Sequence, residues 1–131
     1  MKKLISAIVL CLVFGVLSAA AQRDYCFKND GLKVSQTVSF TLTKTKIEGT
    51  LESGGYDSGT SAETFEFKGT KTGNLLTIKF DGKPPYELPH GTKKIVWTLG
   101  TKTLKIPMYG KNHVTMKYSN YAATFDWCKE I

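Results

Sequence analysis

The sequence is poor in the residues that build most catalytic and metal sites. Its 131 residues include two histidines, three cysteines and a single arginine, Arg23. A catalytic nucleophile needs a base within hydrogen-bonding reach, and only His90 and His113 supply an imidazole. No Gly-x-Ser-x-Gly, His-Glu-x-x-His or Gly-x-x-x-x-Gly-Lys motif occurs. We therefore expect no enzyme and no cofactor.

The few candidate residues leave two chemical alternatives. Glu63 and Glu66 are the best local carboxylate pair for cleaving a glycan, although strand alternation places them on opposite faces. A metal site built from the cysteines and histidines has none of the short ligand spacings that such sites show, so we expect no metal. The scarcity of arginine also weakens bidentate recognition of phosphate or carboxylate, for which the guanidinium fork is preferred.

Beyond its first 21 residues the chain lacks any sustained apolar pattern with helical spacing. In that first segment two lysines precede a largely apolar run from Leu4 to Leu17, and three alanines at 19–21 offer a cleavage site for signal peptidase. We interpret residues 1–21 as a cleaved secretory signal peptide and residues 22–131 as a single β domain that is secreted or periplasmic. The alternative is a membrane anchor, because residues 4–21 carry no charge.

Removal of this segment leaves two cysteines, Cys26 and Cys128, near the ends of the mature chain. Two cysteines in an exported protein most simply form a disulfide. Because bridged Cα atoms lie within about 7 Å of each other, we expect the first and last strands to be neighbours.

The mature chain does contain a series of short alternating segments. From Leu32 to Leu42, apolar side chains, Val34 among them, occupy one parity and polar side chains mostly occupy the other, which is typical of a half-buried strand. Further segments of this kind, separated by turns, predict strands near residues 47–51, 64–68, 76–80, 95–99, 104–108, 114–118 and 123–127. About eight strands predict an all-β fold, a small antiparallel β-barrel or β-sandwich. Closure by the terminal disulfide favours the barrel, because it removes exposed edges.

The aromatic residues divide into two groups. Most fall on inward parities and predict a filled core: Phe40, Phe65, Phe67, Phe80, Trp97, Phe125 and Trp127. Three tyrosines, Tyr109, Tyr118 and Tyr121, do not share one parity, and they are candidates for the rim of a cavity.

Charge is distributed unevenly along the mature chain. Residues 22–67 carry five basic and seven acidic side chains, whereas residues 68–117 carry ten lysines against Asp81 and Glu87. If the hairpins of this second half lie side by side, they present a positive surface to an anionic partner. The alternative is that the lysines keep a strand-rich protein soluble and protect its edges. The ten residues are Lys68, Lys71, Lys79, Lys83, Lys93, Lys94, Lys102, Lys105, Lys111 and Lys117.

The segment from Asp81 to Lys94 is the most distinctive passage, because it holds three of the mature chain's four prolines. Proline fixes φ and favours an extended conformation in the residue before it, so we expect a stiff loop that binds with little ordering cost. The candidate binding residues are Lys83, Tyr86, His90, Lys93 and Lys94. The alternative is a simple connection between two strands.

A second loop is predicted from Ser53 to Ser61, rich in glycine and serine, with Tyr56 as its one large contact group. Its Ser53-Gly54-Gly55-Tyr56 resembles, one residue shorter, the Ser-Gly-x-x-Tyr loop of the bacterial lysozyme inhibitors. The aromatic and basic stretch that follows in that family is replaced here by Phe65-Glu66-Phe67-Lys68. The resemblance implies insertion of Tyr56 into the cleft of an enzyme.

From these observations we expect an exported, non-catalytic binding module that recognises an anionic envelope polymer or protein surface. The alternatives are an enzyme inhibitor that acts by loop insertion and a carrier of a small apolar ligand. We expect a monomer, with no nucleic-acid partner because the chain is exported, and with no membrane span once the signal is removed.

Overall fold

The computed structural model describes residues 22–30, 34–55, 62–112 and 114–128, and the predicted signal peptide (residues 1–21) and residue 56 lie outside this part. Eight strands account for most of the described residues, and no helix occurs among them. The strands are β1 (Gln22–Asp30), β2 (Val34–Thr43), β3 (Lys46–Gly55), β4 (Glu63–Thr72), β5 (Leu75–Phe80), β6 (Ile95–Leu99), β7 (Thr103–Lys111) and β8 (Tyr118–Trp127). None of the described segments forms a helix suited to spanning a bilayer.

The strands form one closed antiparallel barrel in sequence order. Each strand pairs with the next along the chain, and β8 returns to pair with β1. The all-β prediction is confirmed, and of the two predicted architectures the barrel is the one observed.

The alternating sequence pattern explains the core. On each strand the apolar parity points into the barrel, where side chains from all eight strands pack together. Trp97, Phe27, Phe67 and Phe125 are among the largest side chains that are fully buried, so aromatic rings fill the interior. The rest of the buried core consists of Val38, Phe40, Leu42, Ile47, Leu51, Leu76, Ile78, Phe80, Leu99, Leu104, Ile106 and Met108.

A glycine permits close packing where two phenylalanines flank one strand. Gly49 pairs with Phe40 on β2 and with Phe67 on β4. A Cβ atom at position 49 would overlap the backbone carbonyl oxygen of Ser39 as well as the Phe40 side chain. The absent side chain therefore lets β2 and β3 approach closely around the aromatic core.

The seam between β1 and β8 closes the barrel. Two residue pairs join these strands in the described part of the chain, Phe27 with Trp127 and Lys28 with Asp126. A disulfide joins Cys26 to Cys128 beside these pairs, with a Cα–Cα distance of 5.4 Å. The predicted disulfide and the predicted proximity of the terminal strands are confirmed.

The exposed Trp127 also belongs to this seam. Its ring lies edge-on to Phe27, with centroids 5.4 Å apart, and edge-on to Tyr25. Because it covers the seam from the end of β8, the side chain is 41% exposed instead of enclosed in the core.

The predicted strand at 114–118 is wrong, because residues 114–117 form the connection before β8. The Asn112 side chain accepts hydrogen bonds from the backbone N–H groups of Val114 and Thr115, which holds this segment as a turn.

Two further differences concern the ends of strands. Ser53 to Gly55, predicted as the start of a loop, extends β3 and pairs with β2. Val34 has the inward parity but is 43% exposed, because its pairing with Gly55 is the last one of the β2–β3 ladder.

The alternating strand directions give the barrel two different ends. Short connections join β2 to β3, β4 to β5 and β6 to β7 at one end, which we call the turn end. The connections 81–94 and 112–117 lie at the opposite end, which we call the loop end.

Candidate binding surface

The segment 81–94 is fixed to the barrel by backbone hydrogen bonds. At its start, Asp81 donates from its backbone N–H to the carbonyl oxygen of Glu66 on β4, at 2.9 Å. In its middle, the carbonyl oxygen of Glu87 accepts from the N–H of Tyr109 on β7, at 3.0 Å. The segment therefore crosses the loop end from β4 and β5 to the outer face of β7.

Tyr86 anchors this segment to the core. Its half-buried ring lies edge-on to Phe80, with centroids 6.1 Å apart, and its hydroxyl oxygen accepts a hydrogen bond of 3.1 Å from Nε1 of Trp97. Desolvation by burial raises the pKa of Tyr86 to about 12, partly offset by the hydrogen bond from Trp97. The ring thus holds the loop in place, and its hydroxyl is engaged within the protein.

His90 is held on the outer face of the barrel. Its backbone N–H donates to Oδ1 of Asn120 at 2.9 Å, and Nδ2 of Asn120 donates to the carbonyl oxygen of His90 at 3.3 Å. The imidazole stacks on Tyr109, with ring centroids 3.7 Å apart, and its Nε2 lies 3.3 Å from a carboxylate oxygen of Glu87. Two strands and the loop therefore fix one histidine whose side chain remains largely exposed.

Three rings form what we call the aromatic stack: His90, Tyr109 and Tyr118. Tyr109 also lies nearly parallel to Tyr118, with centroids 6.1 Å apart. Tyr118 is 64% exposed, so the stack offers a flat ring face to the surroundings. The sequence signal for this group was the failure of the tyrosines to share one parity, but it did not identify His90 or Asn120 as their neighbours.

Lys83, Lys93 and Lys94 are all exposed. Lys93 and Lys94 border a cleft of about 330 Å³ between the loop and the outer sides of β6 and β7. Its other lining residues are mostly apolar: Tyr86, Leu88, Pro89, Thr92, Ile95, Val96 and Pro107. The loop thus brings two of its three predicted lysines to the rim of an apolar cleft.

Positive charge near this surface has little compensation. Residues 88–125 contain six lysines and no aspartate or glutamate. Within the described part of the chain, salt bridges join only Lys28 to Asp30 and His90 to Glu87. None of the ten lysines between residues 68 and 117 has a carboxylate partner among the described residues.

The remaining predicted sites lie elsewhere or outside the described residues. Tyr56 and His113 fall outside that part, so the loop-insertion hypothesis stays a prediction. Glu66 lines a groove of about 900 Å³ on the outer face of β2–β5, together with Glu48 but without Glu63. Among the described residues no group of three histidine, cysteine, aspartate or glutamate side chains is arranged to hold a metal ion.

Comparisons of the chain with protein-family models, with curated proteins and with solved structures found no match.

Proposed function

We propose that the protein is an exported, non-catalytic binding module that recognises an anionic envelope polymer at the loop end of its barrel. The observation that carries the proposal is that Lys83, Lys93 and Lys94 are exposed, have no carboxylate partner among the described residues, and share the segment 81–94 with His90 of the aromatic stack. The disulfide is compatible with an oxidising, extracytoplasmic location.

The exposed Lys83, Lys93 and Lys94 favour an anionic partner because none of them forms a salt bridge with a carboxylate of the described residues. A cluster of like charges attracts an oppositely charged ligand over several ångströms and raises its association rate. Lysine ammonium groups act as point charges, whereas arginine is suited to bidentate recognition of a single group. This composition supports binding to a repeating polymer with many separate charges.

The anchored loop supports recognition with a small entropic cost. Three hydrogen bonds already hold the loop on the barrel. They join Tyr86 to Trp97, His90 to Asn120 and the backbone of Glu87 to Tyr109. Binding therefore orders little of the backbone. The exposed ring of Tyr118 adds a flat apolar face, on which the C–H groups of a sugar ring can pack. A carboxylated glycan combines this ring surface with the negative charge that the lysines require.

The test is binding of the mature protein to polygalacturonate, with neutral dextran and poly-glutamate as comparison polymers. We expect affinity for polygalacturonate to fall steeply between about 50 and 200 mM salt, because lysine contacts displace condensed counterions. Reversing Lys83, Lys93 and Lys94 to glutamate should weaken binding by at least tenfold.

A matched control reverses the same amount of charge at the turn end, at the exposed Lys44, Lys46 and Lys102. This variant should keep most of the affinity. Equal loss in both variants would contradict a localised site, and binding that does not respond to salt would contradict the electrostatic mechanism. Stronger binding to poly-glutamate than to polygalacturonate would argue against the role of the sugar ring.

A further inference from the structure

Large exposed apolar side chains are concentrated at the connection between β7 and β8. Val114 is 91% exposed, Met116 60% and Tyr118 64%. We call residues 111, 112 and 114–118 the hairpin tip. Scattered single apolar residues are normal on a surface, whereas these three lie within five positions of one connection and form a local patch.

The hairpin tip is a fixed turn. Asn112 receives hydrogen bonds on Oδ1 from the N–H groups of Val114 and Thr115, at 2.8 and 3.2 Å. Its carbonyl oxygen accepts from the N–H of Met116 at 2.7 Å, and its own N–H donates to the carbonyl oxygen of Lys117 at 2.8 Å. One asparagine therefore bonds to four described residues of the turn, in which the side chains of Val114 and Met116 are exposed.

Met116 adopts a backbone conformation that is unfavourable for its type. Its φ angle is +61°, in the left-handed region that costs a residue with a branched or long side chain about 1–2 kcal/mol. Asparagine or glycine would occupy this position at lower cost. A strained residue that also exposes its apolar side chain is typical of a functional position.

Lysines flank this patch without a nearby acidic residue in the sequence. Lys111 ends β7 and Lys117 precedes β8, and no carboxylate lies between residues 88 and 125. An apolar tip bordered by lysines matches the two layers of an anionic bilayer surface, since the apolar groups enter the acyl boundary while the ammonium groups meet the head groups.

We infer that the hairpin tip inserts into the surface of an anionic phospholipid bilayer and holds the loop end against it. A soluble polyanion would leave Val114 and Met116 in water. A stable protein interface needs about 800 Å² on each partner, far more than a patch of three side chains provides. This inference does not depend on the proposed polymer binding.

The test uses the oxidised protein spanning residues 22–131 and cosedimentation with vesicles. The vesicles contain phosphatidylglycerol and phosphatidylethanolamine, or phosphatidylcholine alone as the neutral comparison. We expect binding to the anionic vesicles that weakens with salt, and little binding to the neutral ones. Each lysine near an anionic surface contributes about fivefold to the affinity, from about 1 kcal/mol per charge.

The diagnostic variant combines Val114→Ser with Met116→Asn, which removes both apolar side chains and suits the left-handed backbone at position 116. It should fold at least as stably as the parent, yet bind the anionic vesicles about tenfold or more weakly, because burial of one such side chain accounts for a factor of this size. Leu75→Ser is the matched control: Leu75 is 49% exposed, but at the turn end. It should bind vesicles as the parent does.

Insertion can be observed directly with Val114→Trp. The parent tryptophans are buried in the core or lie at the seam, so a blue shift on adding anionic vesicles would come from position 114. Equal vesicle binding by the parent and the diagnostic variant would overturn the inference, as would no vesicle binding by the parent. Loss of polymer binding with retained vesicle binding would overturn only the proposed function.

Discussion

Replacing both cysteines of the terminal disulfide, Cys26→Ser with Cys128→Ser, should lower the free energy of unfolding, because few non-covalent contacts close the barrel between β1 and β8. β1 shares nine residue pairs with β2 but only two with β8. Besides the disulfide, the seam is joined by the N–H of Cys128 donating to the carbonyl oxygen of Cys26 and by Nδ2 of Asn29 donating to the carbonyl oxygen of Thr124, each at 3.0 Å. The covalent bond therefore joins an edge with two residue pairs, as few as the β6–β7 edge has among the described residues.

The expected loss follows from the length of chain that the bond closes. The cysteines are separated by 102 positions, and the loop-entropy relation gives about 4.7 kcal/mol for a loop of about this length. Measured values are often smaller, so we expect the free energy of unfolding to fall by about 2–5 kcal/mol. This is a large part of the 5–15 kcal/mol that stabilises a typical domain.

Urea denaturation followed by tryptophan fluorescence and by far-ultraviolet circular dichroism measures this loss. Asn29→Ala serves as the comparison, since it removes one hydrogen bond of the same seam and should cost only about 1 kcal/mol. The double serine variant should be the less stable of the two. If it unfolds within about 1 kcal/mol of the parent protein, the non-covalent seam is sufficient and the reasoning is refuted.

Three further predictions test the anchor of the loop and the core. Tyr86→Phe leaves Nε1 of the buried Trp97 without its acceptor and should lower the free energy of unfolding by about 1–3 kcal/mol in urea denaturation; an unchanged value would contradict the anchoring role. In the parent, stability should also fall as pH rises from about 10 to 12, by up to about 2.7 kcal/mol, because the unfolded chain releases this proton near pH 10 while the folded chain retains it until about 12. Tyr86→Phe should lack that part of the pH dependence. Gly49→Ala, which meets the backbone oxygen of Ser39, should cost about 3 kcal/mol, whereas Gly73→Ala, at a turn with open space and a φ of +60°, should cost about 1–2 kcal/mol; equal losses would contradict the role of close packing.

The fold could be predicted largely because the barrel interior enforces a period of two on every strand. Apolar residues at alternate positions, such as Phe40, Phe67 and Leu104, predict the inward face of their strands, and all three are buried. The pairing of Cys26 with Cys128 then indicates which edges meet. Where a strand passes beyond the core, as at Val34, parity loses its meaning because neither face is enclosed.

The candidate binding surface could be predicted only in part. The prolines and lysines identify the loop, but they do not show that it folds back over the outer face of the barrel. That contact pairs His90 with Asn120, 30 residues away, and turns the outward parity of Tyr109 into a partly buried position. Tyr86 is predicted to be a binding residue, but its ring packs toward the core. The hydrogen bond from the buried Trp97 to the Tyr86 hydroxyl explains this orientation. Both contacts join segments that are distant in the sequence, and no local sequence pattern predicts which distant segments meet.

The proposed binding and the inferred membrane contact both lie at the loop end of the barrel, away from the turn end. Among the described residues, two that are not glycine have positive φ angles, Lys44 at the turn end and Met116 at the loop end. The first is explained by its short hairpin turn, in which such angles match the twist of the strands. The second closes the turn that Asn112 organises, because its N–H bonds to the Asn112 carbonyl oxygen. The turn explains the angle but not the choice of methionine, since asparagine or glycine would adopt it at lower cost. An unfavourable residue type beside exposed apolar groups is expected where selection acts on binding instead of folding. Substitutions at the turn end and seam should therefore change stability but not ligand affinity, whereas replacing the exposed side chains of Val114 and Met116 should lower affinity without a loss of stability.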